Sequence, residues 1–156
     1  MISIEVSGLG EINLKHIVLD FNGTMATDGV LIPGVEERLN RLAADLEVHV
    51  LTADTFGTVR EACQGIKGSV SVLSQKVGAP EKEKLVRSLG EKQVVAVGNG
   101  MNDRLMLRAA ALGILVLGSE GACGRTFASA DIVVGNVLDG LDLLLSPKRI
   151  VATLRH

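Results

Sequence analysis

The sequence is short of aromatic residues and cysteines, and it lacks any long hydrophobic run. Only 2% of its residues are aromatic, so Val, Leu, Ile and Ala must fill the core. Two Cys are too few for a disulfide framework or a cysteine-rich zinc site. No apolar run approaches the ~18 residues of a membrane span, and the start does not resemble a signal peptide. We therefore expect no membrane association and, by default, a cytoplasmic protein.

The chain also lacks a block of basic residues. Its net charge is −2, and the pair Lys148-Arg149 is too small for a nucleic-acid footprint, so no nucleic-acid partner is expected. Hydrophobic residues, in contrast, make up 47% of the 156 positions, which is enough for one full core. The sequence therefore predicts a single domain over 1–156.

Strand patterns and helix patterns alternate along the whole chain. Strands are predicted at 2–6 and 11–14 as a hairpin, then up to Leu19, and at 48–51, 70–73, 94–97, 114–117 and 132–134. Helices are predicted over 35–45 and 57–64, from about Pro80, over 103–111 and 121–128, and in a terminal segment through Leu145. Strands without polar residues are buried on both faces, so the pattern predicts a doubly wound parallel sheet in three α/β/α layers.

Two polar motifs each follow a predicted buried strand. The first is Asp20-Phe21-Asn22-Gly23-Thr24, and the second is Gly98-Asn99-Gly100-Met101-Asn102-Asp103. In an open α/β sheet the carboxyl ends of the strands point into the ligand crevice. An aspartate at such an end is placed to attack a substrate or to hold a metal ion. Asn99 and Asn102 can also cap the helix that follows them.

Four polar elements in this order carry a family resemblance: Asp20 to Thr24, then Thr52, then Lys82, then Asn99 to Asp103. With them the whole chain resembles the haloacid dehalogenase (HAD) superfamily of aspartyl-nucleophile phosphohydrolases. Its greatest likeness is to the phosphorylation domain of P-type ATPases and their soluble, archaeal-type relatives. The resemblance implies a HAD-like Rossmannoid fold and a Mg²⁺-dependent phosphatase activity.

The resemblance also implies residue roles. Asp20 matches the nucleophile that forms an aspartyl-phosphate. The implied catalytic residues are Asp20, Asn22, Thr52 and Lys82. The implied Mg²⁺ ligands are Asp20, Asn22 through its backbone carbonyl, Asn99 and Asp103. The implied substrate-binding residues are Gly23, Thr52, Ala53 and Lys82. Such a set is physically required, because a carboxylate approaching a phosphoryl group needs a cation and a lysine to offset the like charges.

The choice of lysine rests on helix register. Lys82 precedes the apolar residues Leu85, Val86 and Leu89 at three, four and seven positions, as the family lysine precedes the apolar face of its helix. Lys76 and Lys84 remain alternatives, and Lys76 is the next most favoured.

Two positions depart from the family pattern. Asn22 stands where phosphatases of the superfamily have the aspartate that protonates the leaving group, and losing such a group costs ~10²–10⁴ in rate. Asn99 replaces the first aspartate of the second motif, which removes a charge and is expected to weaken Mg²⁺ binding. Both changes favour slow turnover, or good leaving groups such as acyl or aryl phosphates.

The intervals between the motifs leave no room for a cap domain, only for a small hairpin near 25–32. An open site suits a phosphoprotein, or a small phosphorylated substrate in a homo-oligomer whose neighbouring copy closes the site. The hairpin at Asp28-Gly29-Val30 is similar to that of capless sugar-phosphate phosphatases of the superfamily, which assemble as tetramers.

Two other functions stay open. The Asn substitutions allow a degenerate module that binds phosphate or a partner without turnover. A generic nucleotide-binding domain is the third hypothesis, although the chain has no Walker lysine loop. Asp54 is interpreted as a helix cap. The three histidines, His16, His49 and His156, lack metal-ligand spacing and are expected to have scattered structural roles.

Overall fold

A computed structural model describes residues 1–53, 58–73 and 78–156, and its elements alternate as the sequence predicts. The strands in these residues are β1 (Ile2–Val6), β2 (Gly10–Leu14), β3 (His16–Asp20), β4 (Ala26–Thr27), β5 (Val30–Leu31), β6 (Glu47–Thr52), β7 (Ser69–Val72), β8 (Val94–Gly98), β9 (Leu112–Val116) and β10 (Ile132–Val134). The α-helices are α1 (Val35–Leu42), α2 (Val59–Ala62), α3 (Gly78–Ser88), α4 (Arg104–Ala109), α5 (Val137–Leu145) and α6 (Lys148–Leu154). Short 3₁₀-helices occupy Glu91–Gln93, Met101–Asp103 and Gly124–Ser129.

Six parallel strands form the central sheet, in the order β10-β9-β8-β3-β6-β7. The chain leaves β3 towards β6 and β7 on one side and then returns to β8, β9 and β10 on the other. The order therefore reverses beside β3, and a doubly wound sheet binds its ligands at such a switch point.

Alternate residues of the strands pack against opposite helical layers. On β3, Ile17 and Leu19 join the core that contains residues of α1, α2, α5 and α6, whereas Val18 joins the core beneath α3 and α4. All three side chains are fully buried. The predicted three-layer α/β/α class with a doubly wound parallel sheet is thereby confirmed.

A tight hairpin is the only element in the described residues between β3 and α1. β4 and β5 pair antiparallel, and both connecting residues have positive φ, 51° for Asp28 and 76° for Gly29. Two such residues in succession are typical of a two-residue hairpin turn. The predicted hairpin near 25–32 is confirmed, and the prediction that the chain lacks a cap domain is consistent with the described residues. None of the helices in those residues has the length and apolarity needed to cross a bilayer.

Two predicted helices, those over 35–45 and 103–111, are longer than the observed ones. Helix α1 ends at Leu42 rather than Asp45, because the N–H of Asp45 donates to the carbonyl of Leu42 at 2.9 Å and closes a tighter turn. Helix α4 begins at Arg104, after the 3₁₀ turn of Met101–Asp103, rather than at Asp103, and it ends at Ala109 rather than at Ala111, because Ala110 is extended.

Three further elements differ from the prediction in the second half of the chain. β9 starts at Leu112 rather than at residue 114. Gly113 is part of the strand, and a Cβ at this position would lie 2.5 Å from the carbonyl oxygen of Leu107. The helix predicted at 121–128 is the 3₁₀-helix Gly124–Ser129. Helix α6 was not predicted, since it follows Ser146-Pro147 and buries only Ile150 fully.

The packing of α1 gives a stability prediction. Leu39 is fully buried, and Arg41 on the same helix is exposed. Leu39→Ala should lower the free energy of unfolding by about 2–5 kcal/mol, because it leaves a cavity in the core. Arg41→Ala should change it by no more than about 0.5 kcal/mol. Urea unfolding of both variants is the measurement, and equal losses would contradict the described packing.

Candidate functional site

The site lies where three neighbouring strands end. Asp20 ends β3, Thr52 ends β6 and Gly98 ends β8. Because β3 pairs in register with both other strands, these ends meet at one edge of the sheet. Asp20, Thr52 and the start of the Gly98–Asp103 motif are therefore adjacent at the switch point.

Lys82 joins the two aspartates at this edge. Its Nζ donates to Asp20 Oδ1 and to Asp103 Oδ1, both at 2.6 Å. Asp20 is 6% exposed, Lys82 1% and Asp103 0%, so the three charges are almost completely removed from water. Helix α3 carries Lys82 to this position, with Val86 buried one turn further along the same face.

The second motif fixes Asp103 through its own backbone. Asp103 Oδ2 accepts the N–H groups of Asn99 and Gly100, both at 2.9 Å. The capping considered for Asn99 and Asn102 is not seen in the described residues, because neither the 3₁₀ turn Met101–Asp103 nor α4 has a side-chain cap hydrogen bond. Gly98 makes room for the carboxylate of Asp103, because a Cβ there would lie 2.5 Å from Asp103 Cγ.

Asn99 ties the first motif to the loop after β9. Its Oδ1 accepts from Thr24 Oγ1 at 3.1 Å, and its Nδ2 donates to the carbonyl of Gly121 at 3.0 Å. Gly23 lies beneath this amide with a φ of 78°, and a Cβ there would lie 2.5 Å from Asn99 Nδ2. The hydrogen bonds assign the amide orientation of Asn99.

Asn22 lies between the first motif and the end of β6. Its Nδ2 donates to Thr52 Oγ1 at 3.5 Å, the limit of a hydrogen bond. Its Oδ1 is buried and has no hydrogen-bond partner among the residues that the structure describes. Thr52 is buried, and Ala53 beside it is partly buried. Among the described residues, this edge therefore holds a buried polar oxygen without a hydrogen-bond partner.

Burial and charge both perturb the aspartate at the end of β3. Burial raises the pKa of Asp20 to about 7, and repulsion by Asp103 acts in the same direction, against the attraction of Lys82. Burial alone would lower the pKa of Lys82, but its attraction to both carboxylates outweighs burial and raises it. Lys82 therefore keeps its charge at neutral pH.

The donor set fits a hard divalent cation. Two carboxylates flank the ammonium of Lys82, and the orphaned Oδ1 of Asn22 lies at the same edge. Mg²⁺ binds through one or two carboxylates and keeps water or phosphate oxygens as its other ligands. Asp20 Oδ2 has spare capacity as an acceptor, because the hydroxyl of Thr24 lies 3.4 Å from it and closer to Asn99.

The structure places all eight predicted site residues at this edge. Asp20, Gly23, Thr52, Lys82, Asn99 and Asp103 lie at one edge together with Asn22 and Ala53. Lys84 is exposed on α3. Lys76 and Asp54 lie outside the described residues. The contact of Thr24 with Asn99 was not predicted, although Thr24 stands in the first motif, because a contact between distant loops leaves no local pattern.

The fold matches solved phosphatase structures. The 3-deoxy-D-manno-octulosonate 8-phosphate phosphatase of Moraxella catarrhalis, solved with magnesium, phosphate and KDO, is 20% identical with a TM-score of 0.68, over 91% of this chain and 94% of that one. The cobalt-bound deoxy-D-mannose-octulosonate 8-phosphate phosphatase of Haemophilus influenzae is 17% identical with a TM-score of 0.71, over 92% and 94%. The chain therefore has the fold of the HAD hydrolases, and the resemblance stated from the sequence motifs is confirmed at the level of the fold.

Two curated archaeal proteins are similar in sequence. The uncharacterised protein MJ0073 of Methanocaldococcus jannaschii is 49% identical over 73 residues, which are 47% of this chain and 78% of that protein. The uncharacterised MJ0072 of the same organism is 54% identical over 39 residues, 25% of this chain and 89% of that protein. The chain belongs to the same family as MJ0073. No family model matches the chain.

The buried lysine gives a second stability prediction. Lys82→Met removes the cation between two buried carboxylates, so it should cost about 3–5 kcal/mol of unfolding free energy. Lys84→Met, on the exposed side of the same helix, should cost no more than about 0.5 kcal/mol. Denaturant unfolding of the two variants tests this difference. A Lys82→Met variant as stable as Lys84→Met would show that the ion pairs do not form in solution.

Proposed function

We propose that this protein is a Mg²⁺-dependent phosphohydrolase that works through an aspartyl-phosphate on Asp20. The observation that carries the proposal is the bridge from Lys82 to both Asp20 and Asp103 at the switch point of the sheet. The HAD fold and its metal-bound phosphatase structures support the same reaction class. Asp20, Asp103, the backbone carbonyl of Asn22 and the amide oxygen of Asn99, which keeps a lone pair beside its hydrogen bond from Thr24, are the proposed metal ligands.

The reaction needs a carboxylate to approach a phosphoryl group of the same charge. When bound, Mg²⁺ supplies positive charge to the phosphoryl oxygens. The ammonium of Lys82 holds Asp20 in place and offsets the remaining negative charge. Asp20 forms the new O–P bond as the leaving group departs with its electron pair, and water then hydrolyses the aspartyl-phosphate. Thr52, Ala53 and Gly23 are proposed to orient the phosphoryl group.

Asn22 sets which leaving groups are accepted. A carboxamide cannot transfer a proton to a departing oxygen, so leaving groups that depart as stable anions are favoured. Aryl and acyl phosphates meet this requirement, and alkyl phosphates do not. We therefore propose slow turnover of alkyl phosphates and faster turnover of activated ones.

The substrate is proposed to be a small phosphorylated molecule or a phosphoprotein. In the described residues only the hairpin of β4 and β5 lies between β3 and α1, which supports either size. The hairpin meets the loop after β9 through Asp28 N–H, which donates to Glu120 Oε1 at 2.9 Å, and through the hydroxyls of Thr27 and Ser119, which lie 2.9 Å apart. A homo-oligomer, in which a second copy covers this edge, remains part of the proposal.

A binding module without turnover is the second candidate. The amides of Asn22 and Asn99 favour it, because each stands where the family pattern has a carboxylate. Trapping with beryllium fluoride and Mg²⁺, followed by fluorine NMR, separates the two. A fluoride complex on Asp20 together with no turnover of any phosphate ester would favour the binding module.

Removing the nucleophile tests the enzymatic proposal. Asp20→Asn should abolish Mg²⁺-dependent hydrolysis of p-nitrophenyl phosphate, because an amide cannot form the acyl phosphate. Asp45→Asn, an exposed aspartate in the turn after α1, is the matched control and should retain the parent rate. Steady-state rates with and without Mg²⁺ are measured for all three proteins. Equal rates in Asp20→Asn and the parent would exclude Asp20 as the nucleophile.

Restoring the acid tests the role of Asn22. Asn22→Asp should raise the hydrolysis of alkyl phosphates by about 10²–10⁴, since the leaving group can then be protonated. Aryl phosphates should gain much less. Asn102→Asp, exposed in the second motif, controls for added charge. The measurement is the ratio of kcat/KM for an alkyl ester to kcat/KM for an aryl ester. If this ratio in Asn22→Asp stays at the parent value, the missing acid is not what limits the hydrolysis of alkyl phosphates.

A further inference from the structure

Two histidines and a glutamate meet at the opposite edge of the central sheet. His16 begins β3 and Glu47 begins β6, and these two residues are directly paired in the parallel register. His49 lies two residues after Glu47 on the same strand, so its side chain points to the same face. The expectation that the histidines are scattered is therefore wrong for His16 and His49.

The donor atoms have the spacing of a tetrahedral metal site. His49 Nε2 lies 3.3 Å from His16 Nδ1, His16 Nδ1 lies 3.4 Å from Glu47 Oε2, and His49 Nε2 lies 3.9 Å from Glu47 Oε2. Bonds of ~2.0–2.1 Å from Zn²⁺ to nitrogen or oxygen place tetrahedral ligand atoms ~3.3 Å apart. Two of the three distances match this value, and the third needs only a small rotation of Glu47, whose side chain is 73% exposed.

A hydrogen bond with Ser69 orients the ring of His49 for metal binding. Its Nδ1 lies 3.1 Å from Ser69 Oγ, on the neighbouring strand β7, to which His49 is paired in register. With Nδ1–H donated to Ser69, the lone pair of Nε2 points to His16 and Glu47. A metal-bound histidine typically donates its other ring N–H in this way, which fixes the ring.

Burial also suits metal binding. The side chains of His16 and His49 are only 14% and 16% exposed. Burial lowers the pKa of His49, with a further contribution from His16 and against the attraction of Glu47. Neutral imidazole is the form that binds metal. A cleft of about 400 Å³ borders Glu47, His49 and Ser69 and gives a fourth ligand room to enter.

We propose that His16, Glu47 and His49 form a second metal site, which binds Zn²⁺ or a similar transition-metal ion at the amino-terminal edge of the sheet. Two imidazoles and one carboxylate suit Zn²⁺, Co²⁺ or Ni²⁺, whereas Mg²⁺ prefers oxygen ligands alone. β3 rises ~3.3 Å per residue, so the site lies roughly 13 Å from Asp20 at the other end of the strand. The ion would hold β3 to β6 and stabilise the folded chain.

Metal titration of the parent and of matched variants tests the site. In excess Mg²⁺, the parent should bind one more equivalent of Zn²⁺ by calorimetry than His49→Gln. Ser69→Ala should weaken this binding by about tenfold, because the orientation of His49 is lost. His156→Gln, which changes the histidine outside the cluster, should bind as the parent does. Mg²⁺-dependent hydrolysis should be unchanged in His49→Gln.

Two results would overturn the proposal. One is a parent protein that binds no more Zn²⁺ than His49→Gln, in which case the cluster is a hydrogen-bonded histidine pair. The other is equal loss of binding in His156→Gln, which would indicate unspecific binding by exposed imidazoles.

A measurement on the unaltered chain covers the case in which a variant fails to fold. Nitrogen-15 NMR of the histidine rings should show Zn²⁺ shifting Nδ1 of His16 and Nε2 of His49, with the ring of His156 unchanged. Resonances of His16 and His49 that do not respond to Zn²⁺ would contradict the proposal.

Discussion

The buried ion pairs of Lys82 with Asp20 and Asp103 are the interaction on which the rest of the site depends. Each charge loses several kcal/mol of solvation when it is buried. When both carboxylates are ionised, one ammonium between them leaves one net negative charge with almost no contact with water. That residual charge favours a divalent cation at this edge. A bound divalent ion would turn the cluster net positive, which favours a phosphoryl group.

The two asparagines do more than replace carboxylates. Asn99 donates to the Gly121 carbonyl and accepts from Thr24, and a carboxylate in its place would lack the N–H and face the carbonyl oxygen. Local packing therefore uses this amide, whose hydrogen bonds a carboxylate could not make. Asn22 differs, because its Oδ1 has no partner among the described residues and is available to a ligand. The two substitutions thus have separate physical consequences.

Sequence reasoning predicted the sheet and the convergence of the motifs because both follow from local patterns. Buried strands without polar residues require helices on both faces, and the ends of parallel strands share one edge. It missed α6, whose short apolar face gives a weak periodicity. It also missed the cluster of His16 and His49, because their proximity depends on the register of β3 against β6. The pattern Glu47-x-His49 in a strand is the signal that could have indicated it.

The central claim is that Asp20 accepts the phosphoryl group, and the covalent intermediate tests it most directly. The protein is mixed with Mg²⁺ and an acyl phosphate, quenched, and reduced with borohydride, which converts an aspartyl-phosphate to homoserine. Peptide mass spectrometry then locates the changed residue. The account predicts homoserine at position 20 in the parent chain. Turnover without homoserine at position 20, or homoserine at another aspartate, would contradict it.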